Sequence, residues 1–184
     1  VGHADAFGGA VMTNDSALAG KVLATAEEWG IGLAPDDAYL AVRGLRTLAT
    51  RLRAHEAAGL EMAHWLAARP EVAVVLHPAL PSCPGHDVWK RDFTGSNGLF
   101  GVILNPVLEG GMERFFAALS LFGLGFSWGG FESLVIPCDQ QLTRMKGSWT
   151  EKRAGPLLRF HIGLEAVSDL KADLSAAFAA LSAG

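Results

Sequence analysis

Cysteine is scarce in this sequence of 184 residues. Its two cysteines, Cys83 and Cys138, lie far apart and form neither a metal-ligand pair nor a disulfide framework, which favours a reducing setting. Long apolar runs are also missing, because none reaches the ~18 residues that cross a bilayer. No basic segment followed by an apolar one stands at the amino end. The sequence therefore predicts no membrane span, no export and a cytoplasmic location.

An excess of charge of one sign is missing as well. The chain has 15 basic and 19 acidic residues, a formal net charge of -4 and a pI near 5.8. Its basic residues do not concentrate in one stretch, so the footprint of a protein that binds nucleic acid or an anionic membrane is absent. Half of the residues are hydrophobic, which is enough for a sizeable core. We expect a globular protein that binds small molecules or other protein chains.

The first 70 residues predict one strand and two helical regions. A short apolar stretch at residues 6–12 is typical of a strand, and the polar residues 13–16 supply a turn and the N-cap of a helix that ends near Gly30. Pro35 begins the second region, in which leucines recur at helical spacing up to Pro70. Because this region is long for one globular helix, we expect it to bend near Gly59.

Strands alternate with helices in the rest of the chain. Four strands are predicted, at residues 72–76, 99–104, 134–137 and 157–163. Two helices are predicted at residues 111–124 and 166–181, and residues 78–92, which are rich in proline and glycine, are interpreted as a loop. This alternation predicts an α/β fold with a small mixed sheet and helices packed on one face.

A turn with two adjacent glycines occupies residues 127–133, SWGGFES, between a predicted helix and a predicted strand. Glycines let a backbone approach a ligand closely or take positive φ, so this turn is able to present Ser127 and Trp128 to a ligand. A tight connection whose tryptophan covers the core accounts for the same residues equally well. The glycine pair alone leaves both interpretations open.

Arg159 lies in the last predicted strand, LLRFHIG at residues 157–163. Strand alternation puts it on one face with His161 and Gly163, and three apolar residues on the other: Leu158, Phe160 and Ile162. An arginine beside a cleft is suited to a carboxylate, which it holds with two parallel hydrogen bonds. A surface arginine in a weak ion pair is the more frequent outcome for an isolated residue. His161 is interpreted as a partly buried histidine with a hydrogen-bond partner.

The six histidines are scattered and show no metal-ligand spacing, so we expect no metal site. The sequence also has no P-loop, no G-x-S-x-G turn and no dinucleotide-binding fingerprint.

Several blocks resemble the pyridoxal-phosphate (PLP) dependent enzymes of cysteine and methionine metabolism. Residues 1–5, VGHAD, look like the stretch just after that family's cofactor lysine. The other blocks follow in family order: YLAVRGLRTL at 39–48, HPAL at 77–80, WKRDFTG at 89–95, SWGGFESL at 127–134 and RFHIGLE at 159–165. The tryptophan after Ser127 and the HIGLE ending are more similar to bacterial cystathionine β-lyases than to the γ-synthase and γ-lyase branch.

The resemblance implies the carboxyl-terminal part of an aspartate-aminotransferase-like fold (fold type I). Residues 1–30 would be the tail end of the large cofactor-binding domain, residues 31–70 a long connecting helix and residues 71–184 the small α/β domain. The implied assembly is a homotetramer, and the implied partner of this chain is an amino-terminal portion that carries the rest of the cofactor site.

The implied activity is α,β-elimination of L-cystathionine to homocysteine, pyruvate and ammonia. Arg159 corresponds to the arginine that holds the substrate α-carboxylate, and Ser127 and Trp128 correspond to the turn that lines the substrate pocket. The PLP lysine is expected just before Val1, so this chain alone is expected neither to bind PLP covalently nor to catalyse elimination. Two alternatives stay open: a non-catalytic module that binds an amino-acid carboxylate or other subunits, and a cysteine desulfhydrase-like lyase.

Overall fold

The computed structural model describes residues 2–142 and 153–181. The chain forms two compact units, residues 1–49 and residues 50–184. Among the described residues, no helix combines the length and the apolar character that a membrane crossing requires.

The first unit contains the helices α1, Ser16–Glu28, and α2, Pro35–Arg46. The side chain of Asp15 caps α1 by accepting hydrogen bonds from the backbone N–H groups of Ala17 and Leu18, at 2.8 and 3.0 Å. Proline begins α2. Asp36, in the first turn of α2, places a negative charge at the positive end of the helix dipole, which stabilises the helix. Both helix starts were predicted from these local signals.

The strand predicted at residues 6–12 is wrong, because this segment has no regular secondary structure. A strand needs a neighbour with which its backbone exchanges hydrogen bonds. Every strand in the described part of the chain lies between Val72 and His161 and pairs within one sheet. The apolar residues of the segment are accordingly exposed, with Phe7 at 92% and Met12 at 90%.

The helical region after Pro35 is interrupted at Thr47 rather than at Gly59. Helix α3, Leu48–Ala67, continues through Gly59. A Cβ atom at this position would lie 2.8 Å from the carbonyl oxygen of Asn97. Glycine therefore permits the close approach of a backbone segment to the helix, and this is why a potential helix breaker stands inside α3.

One five-stranded mixed sheet forms the second unit, and all four predicted strands are confirmed. Its strands are β1 (Val72–Leu76), β2 (Leu99–Leu104), β3 (Gly123–Leu124), β4 (Leu134–Pro137) and β5 (Leu157–His161). The order across the sheet is β1-β2-β5-β4-β3. The pair β3/β4 is parallel, and the other neighbours are antiparallel. The short strand β3 was not predicted.

Two helix predictions need correction. Part of the predicted loop at residues 78–92 is the helix α4, His86–Asp92, which follows Gly85 in the left-handed region at φ 84°.

Helix α5, Gly111–Ala118, is shorter than predicted. Three backbone N–H groups just beyond the end of α5 donate hydrogen bonds to the carboxylate of Asp173, those of Ser120, Leu121 and Phe122. These bonds stabilise an extended path that leads into β3. The last helix, α6, is Val167–Leu181, close to the prediction.

The core lies on one face of the sheet. Its strand residues are alternate positions that the register aligns across neighbouring strands: Val75, Phe100, Val102, Leu104, Val135, Leu158 and Phe160. Helices α3, α5 and α6 cover this face with buried side chains such as Met62, Phe115 and Phe178. The predicted packing of helices on one face is confirmed, and Arg159 and His161 lie on the opposite face.

Candidate substrate-binding site

The candidate site is built on the segment 125–133, which connects β3 to β4 and lies beside β5. Arg159 of β5 holds the first part of this segment. Its Nη2 atom donates to the carbonyl oxygens of Gly125, Phe126 and Ser127, at 3.3, 2.8 and 3.2 Å. The guanidinium therefore fixes the backbone just before Trp128.

His161 holds the middle of the segment. Its Nε2 atom lies 3.2 Å from the backbone nitrogen of Gly129 and 3.1 Å from the carbonyl oxygen of Gly130. The side chain is buried, with 2% of its surface exposed, and burial lowers its pKa from the ordinary value of 6.5. The ring is therefore neutral at pH 7. Nε2 donates to the Gly130 carbonyl in the tautomer that carries the proton on Nε2, and it accepts from the Gly129 N–H in the other tautomer. His161 has the predicted hydrogen-bond partner, and it is more deeply buried than the partly buried histidine that was predicted.

The last part of the segment is held by the residues that follow β5. The hydroxyl of buried Ser133 donates to Oε2 of Glu165 at 2.7 Å, and its backbone N–H donates to Oε1 at 2.8 Å. The same hydroxyl accepts from the N–H of Gly163 at 2.8 Å. A Cβ atom at Gly163 would clash with the carbonyl oxygen of Phe131, so only glycine fits this contact.

The result is a braced turn that presents Ser127 and Trp128 to the outside. Trp128 is 59% exposed, so its ring does not cover the core of the described residues. Gly129 has φ +79°, a conformation that side chains other than glycine rarely adopt. Arg159, Ser127 and Trp128 were singled out from the sequence, and in the structure they come together at this turn.

Arg159 retains unused donor capacity. None of the ion pairs among the described residues involves it. Its Nε atom is buried and has no hydrogen-bond partner in the described part of the chain. A guanidinium has five N–H donors, and an uncompensated buried donor is costly. An arriving carboxylate is the ligand that best matches this planar set of donors.

The sequence did not reveal the contacts of three supporting residues. His55 of α3 has its ring centroid 5.4 Å from that of His161, Glu165 holds Ser133, and Gly163 permits the close approach to Phe131. Each contact joins residues that are 30 or more positions apart. Sequence periodicity reports only local neighbours, so no local signal identified them.

Within the described residues of the second unit, no lysine is hydrogen-bonded to Arg159 or to the turn. Lys171 forms an ion pair with Glu61 at 2.6 Å, and Lys90 lies in α4. Lys146 and Lys152 lie outside the described residues. No group of three or more His, Cys, Asp or Glu side chains in the described ranges is arranged to hold a metal ion.

Residues 1–179 match the model of the Cys/Met metabolism PLP-dependent enzyme family. The chain belongs to this family. The resemblance noted in the sequence blocks is thereby confirmed, and PLP is the cofactor of the family's enzymes. The residues that this chain brings to the turn do not themselves fit PLP, because the described set includes no lysine there to bind it.

Relatives within the Cys/Met metabolism family include lyases and synthases. The cystathionine β-lyase of Salmonella typhimurium is 45% identical over 181 residues, 97% of this chain and 46% of that protein. The cystathionine γ-synthase of Mycobacterium leprae is 36% identical over 177 residues, 96% of this chain and 45% of that protein. The chain thus spans about half the length of the curated relatives it matches.

A solved structure of the same family confirms the fold prediction. The cystathionine γ-synthase of Xanthomonas oryzae pv. oryzae, in complex with cystathionine, matches with a TM-score of 0.86 at 32% identity. The match covers 99% of this chain and 48% of that chain. The α/β arrangement is therefore that of a fold type I enzyme's carboxyl-terminal part.

Proposed function

We propose that this chain is the carboxyl-terminal portion of a PLP-dependent carbon–sulfur lyase that, with water, cleaves L-cystathionine to homocysteine, pyruvate and ammonia. The higher identity to a cystathionine β-lyase than to a γ-synthase supports this reaction, 45% against 36%. The tryptophan of the SWGG turn supports it as well. One structural arrangement carries the proposal: Arg159 takes part in no ion pair of the described residues, and its guanidinium lies against a braced turn that exposes Ser127 and Trp128.

Arg159 binds the α-carboxylate of the substrate. Its Nη2 atom is already bonded to three carbonyl oxygens, which hold the guanidinium plane in place before the substrate arrives. A fixed plane loses little conformational entropy on binding, so the two parallel hydrogen bonds to a carboxylate contribute more to affinity. This arrangement determines which end of an amino-acid substrate faces β5.

Ser127 and Trp128 form one wall of the substrate pocket. The backbone on both sides of Trp128 is fixed, by Arg159 before it and by His161 after it. An exposed tryptophan in a rigid turn offers a large apolar surface without further ordering cost. The carbon–sulfur chain of a thioether amino acid is a suitable ligand for such a surface.

The cofactor and its lysine belong to an amino-terminal portion of the protein. When bound, PLP supplies an electron sink for the negative charge that develops at the substrate α-carbon. The described residues of this chain contribute substrate binding and orientation only. We therefore expect the 184-residue chain by itself to be inactive, with residues 1–30 completing the large domain, residues 31–70 connecting the domains and residues 71–184 forming the small domain.

The partner of residues 1–49 is that amino-terminal portion. This unit exposes large apolar side chains, among them Phe7, Met12 and Trp29, at 76% or more. Exposed apolar surface of this extent is typical of an interface. We expect the whole protein to be a cytoplasmic homotetramer, and the isolated chain to associate with itself. A sedimentation experiment in which the isolated chain is a stable monomer would contradict this association.

Product analysis of the whole protein with PLP tests the reaction. We expect homocysteine and pyruvate from L-cystathionine, each in a 1:1 ratio to ammonia. Cysteine with 2-oxobutanoate would overturn the β-lyase assignment in favour of cleavage on the other side of sulfur. A higher kcat/KM for L-cysteine, with release of sulfide, would favour a desulfhydrase. No turnover of any of these substrates would favour a non-catalytic module.

A further inference from the structure

Two side chains of β5 hold the two halves of the substrate turn, and only one of them has a proposed role in binding. Arg159 fixes the backbone before Trp128, whereas His161 contacts the backbone of Gly129 and Gly130 after it. We propose that His161 is a positioning residue that sets the orientation of Trp128 through its Nε2 atom, and that His55 in turn fixes the His161 ring. The inference rests on the proposed function, because that function makes Trp128 a wall of the substrate pocket.

Hydrogen bonding, rather than packing, holds the turn at its glycines. A Cβ atom built on Gly129 or on Gly130 would have no atom of the structure's described residues within 4 Å. By contrast, a Cβ atom at Gly163 would meet three neighbours. Space is therefore open where side chains at these two positions would lie, and the contacts with Nε2 are hydrogen bonds to the backbone directly after Trp128.

His55 holds the His161 ring from the other side. Its Nδ1 atom lies 2.9 Å from the carbonyl oxygen of Ile162 and donates to it, since a carbonyl only accepts. This bond ties α3 to the residue next to His161. The centroids of the two rings are 5.4 Å apart and the ring planes are tilted by 42°, so the His161 ring packs against that of His55.

Both contacts involve the same ring atom, which makes the proposal specific. The Nε2 atom is 3.2 Å from the Gly129 nitrogen, and Nδ1 makes a longer, weaker contact with the same nitrogen at 3.5 Å. The neutral ring keeps one bond to the turn in either tautomer, because Nε2 either accepts from Gly129 or donates to Gly130. A side chain that places a polar atom at the Nε2 position preserves the shorter contacts, and a shorter side chain keeps at most the 3.5 Å contact made at the Nδ1 position.

The variants His161→Gln and His161→Asn separate the two ring positions. The terminal amide of glutamine reaches the place of Nε2, and that of asparagine reaches only the place of Nδ1. His77→Asn is the matched control, because His77 is also buried but its Nδ1 atom accepts from Ala79 and does not contact the turn. All variants are made in the whole protein with its cofactor.

The first readout is the fluorescence of Trp128, obtained by subtracting the spectrum of the corresponding protein with Trp128→Phe. We expect acrylamide to quench this emission more strongly in His161→Asn than in the native protein. In His161→Gln and in His77→Asn, we expect the same quenching as in the native protein. This readout does not depend on turnover, so it tests the positioning role even if the proposed reaction is wrong. Unchanged quenching in His161→Asn would overturn the proposal.

The second readout separates positioning from general destabilisation. We expect His161→Asn to raise KM for L-cystathionine about 3- to 10-fold, which corresponds to the loss of one hydrogen bond, and His161→Gln to restore it. A purely structural role would lower kcat through the folded fraction and leave KM unchanged. If His161→Asn does not fold, the variant His55→Asn still tests the proposal. A KM and an acrylamide quenching equal to those of the native protein in His55→Asn would contradict it.

Discussion

The two compact units of this chain differ in what holds their secondary structure. In residues 50–184, three helices cover one face of a sheet and bury a continuous apolar core. In residues 2–49, the only buried residue is Gly44, and the local signals at the helix starts are the Asp15 cap of α1 and the proline that begins α2. The second unit therefore has the packing to position a site by itself, whereas the first exposes much of its apolar surface.

Removal of a large core side chain tests this difference most strongly. Phe160→Ala should lower the free energy of unfolding by about 3–5 kcal/mol, because it leaves a cavity beneath the sheet. Leu23→Ala in α1, where the side chain is 61% exposed, should change that energy in the isolated chain by less than about 0.5 kcal/mol. Denaturant titration of the isolated chain measures both. Equal losses would show that residues 1–49 share the core.

The Ser133–Glu165 brace at the end of the turn 125–133 gives the next largest effect. Glu165→Gln replaces a carboxylate that accepts from both the hydroxyl and the N–H of Ser133. Loss of the charge should cost about 1.5–3 kcal/mol of unfolding free energy. Asp169→Asn, at an exposed position in α6, is the control for loss of a carboxylate. A Glu165→Gln protein as stable as this control would contradict the brace.

Acid should destabilise the second unit through its buried histidines. Burial lowers the pKa of His77 and His161 below 6.5, so the unfolded chain binds protons at a pH at which the folded chain does not. Stability is therefore full above pH 6.5 and falls as the pH drops from there toward the folded pKa values. The slope is at most about 1.4 kcal/mol per pH unit for each histidine. Unfolding titrations of His161→Gln should show a shallower slope than the native protein.

The capping of α1 should have a smaller and local effect. Asp15→Ala removes the acceptor of two backbone N–H groups and should cost about 1 kcal/mol of helix stability. Asp15→Asn keeps an oxygen acceptor and is the matched control. Hydrogen exchange of the α1 amides should accelerate only in Asp15→Ala. Acceleration that extends into β5 would show that the two units unfold together.

Local signals account for the parts of the fold that the sequence predicted. The Asp15 cap, Pro35 and the alternation of residues 157–163 each act within a few positions, and each produced the expected element. The same alternation placed Arg159 and His161 on one face, so half of the site followed from one strand.

Tertiary contacts account for what was missed. Strand β3 has only two residues and exists through its pairing with Leu134 and Val135. Helix α5 ends early because of Asp173, a residue more than 50 positions away. The segment 6–12 has strand-like composition but pairs with no strand of the described residues. The ring of His55 beneath His161 has no signature in either local sequence.

The central claim is that Arg159 holds the substrate carboxylate, and one comparison of variants tests it most directly. Arg114 is the matched control, because it also donates to backbone carbonyls, those of Ala180 and Leu181, but lies away from the turn. In the whole protein, Arg159→Lys should lower kcat/KM for L-cystathionine about 100-fold, since lysine cannot make the paired bonds. Arg114→Lys should leave kcat/KM within about twofold. Equal kcat/KM values for the two variants would contradict the account.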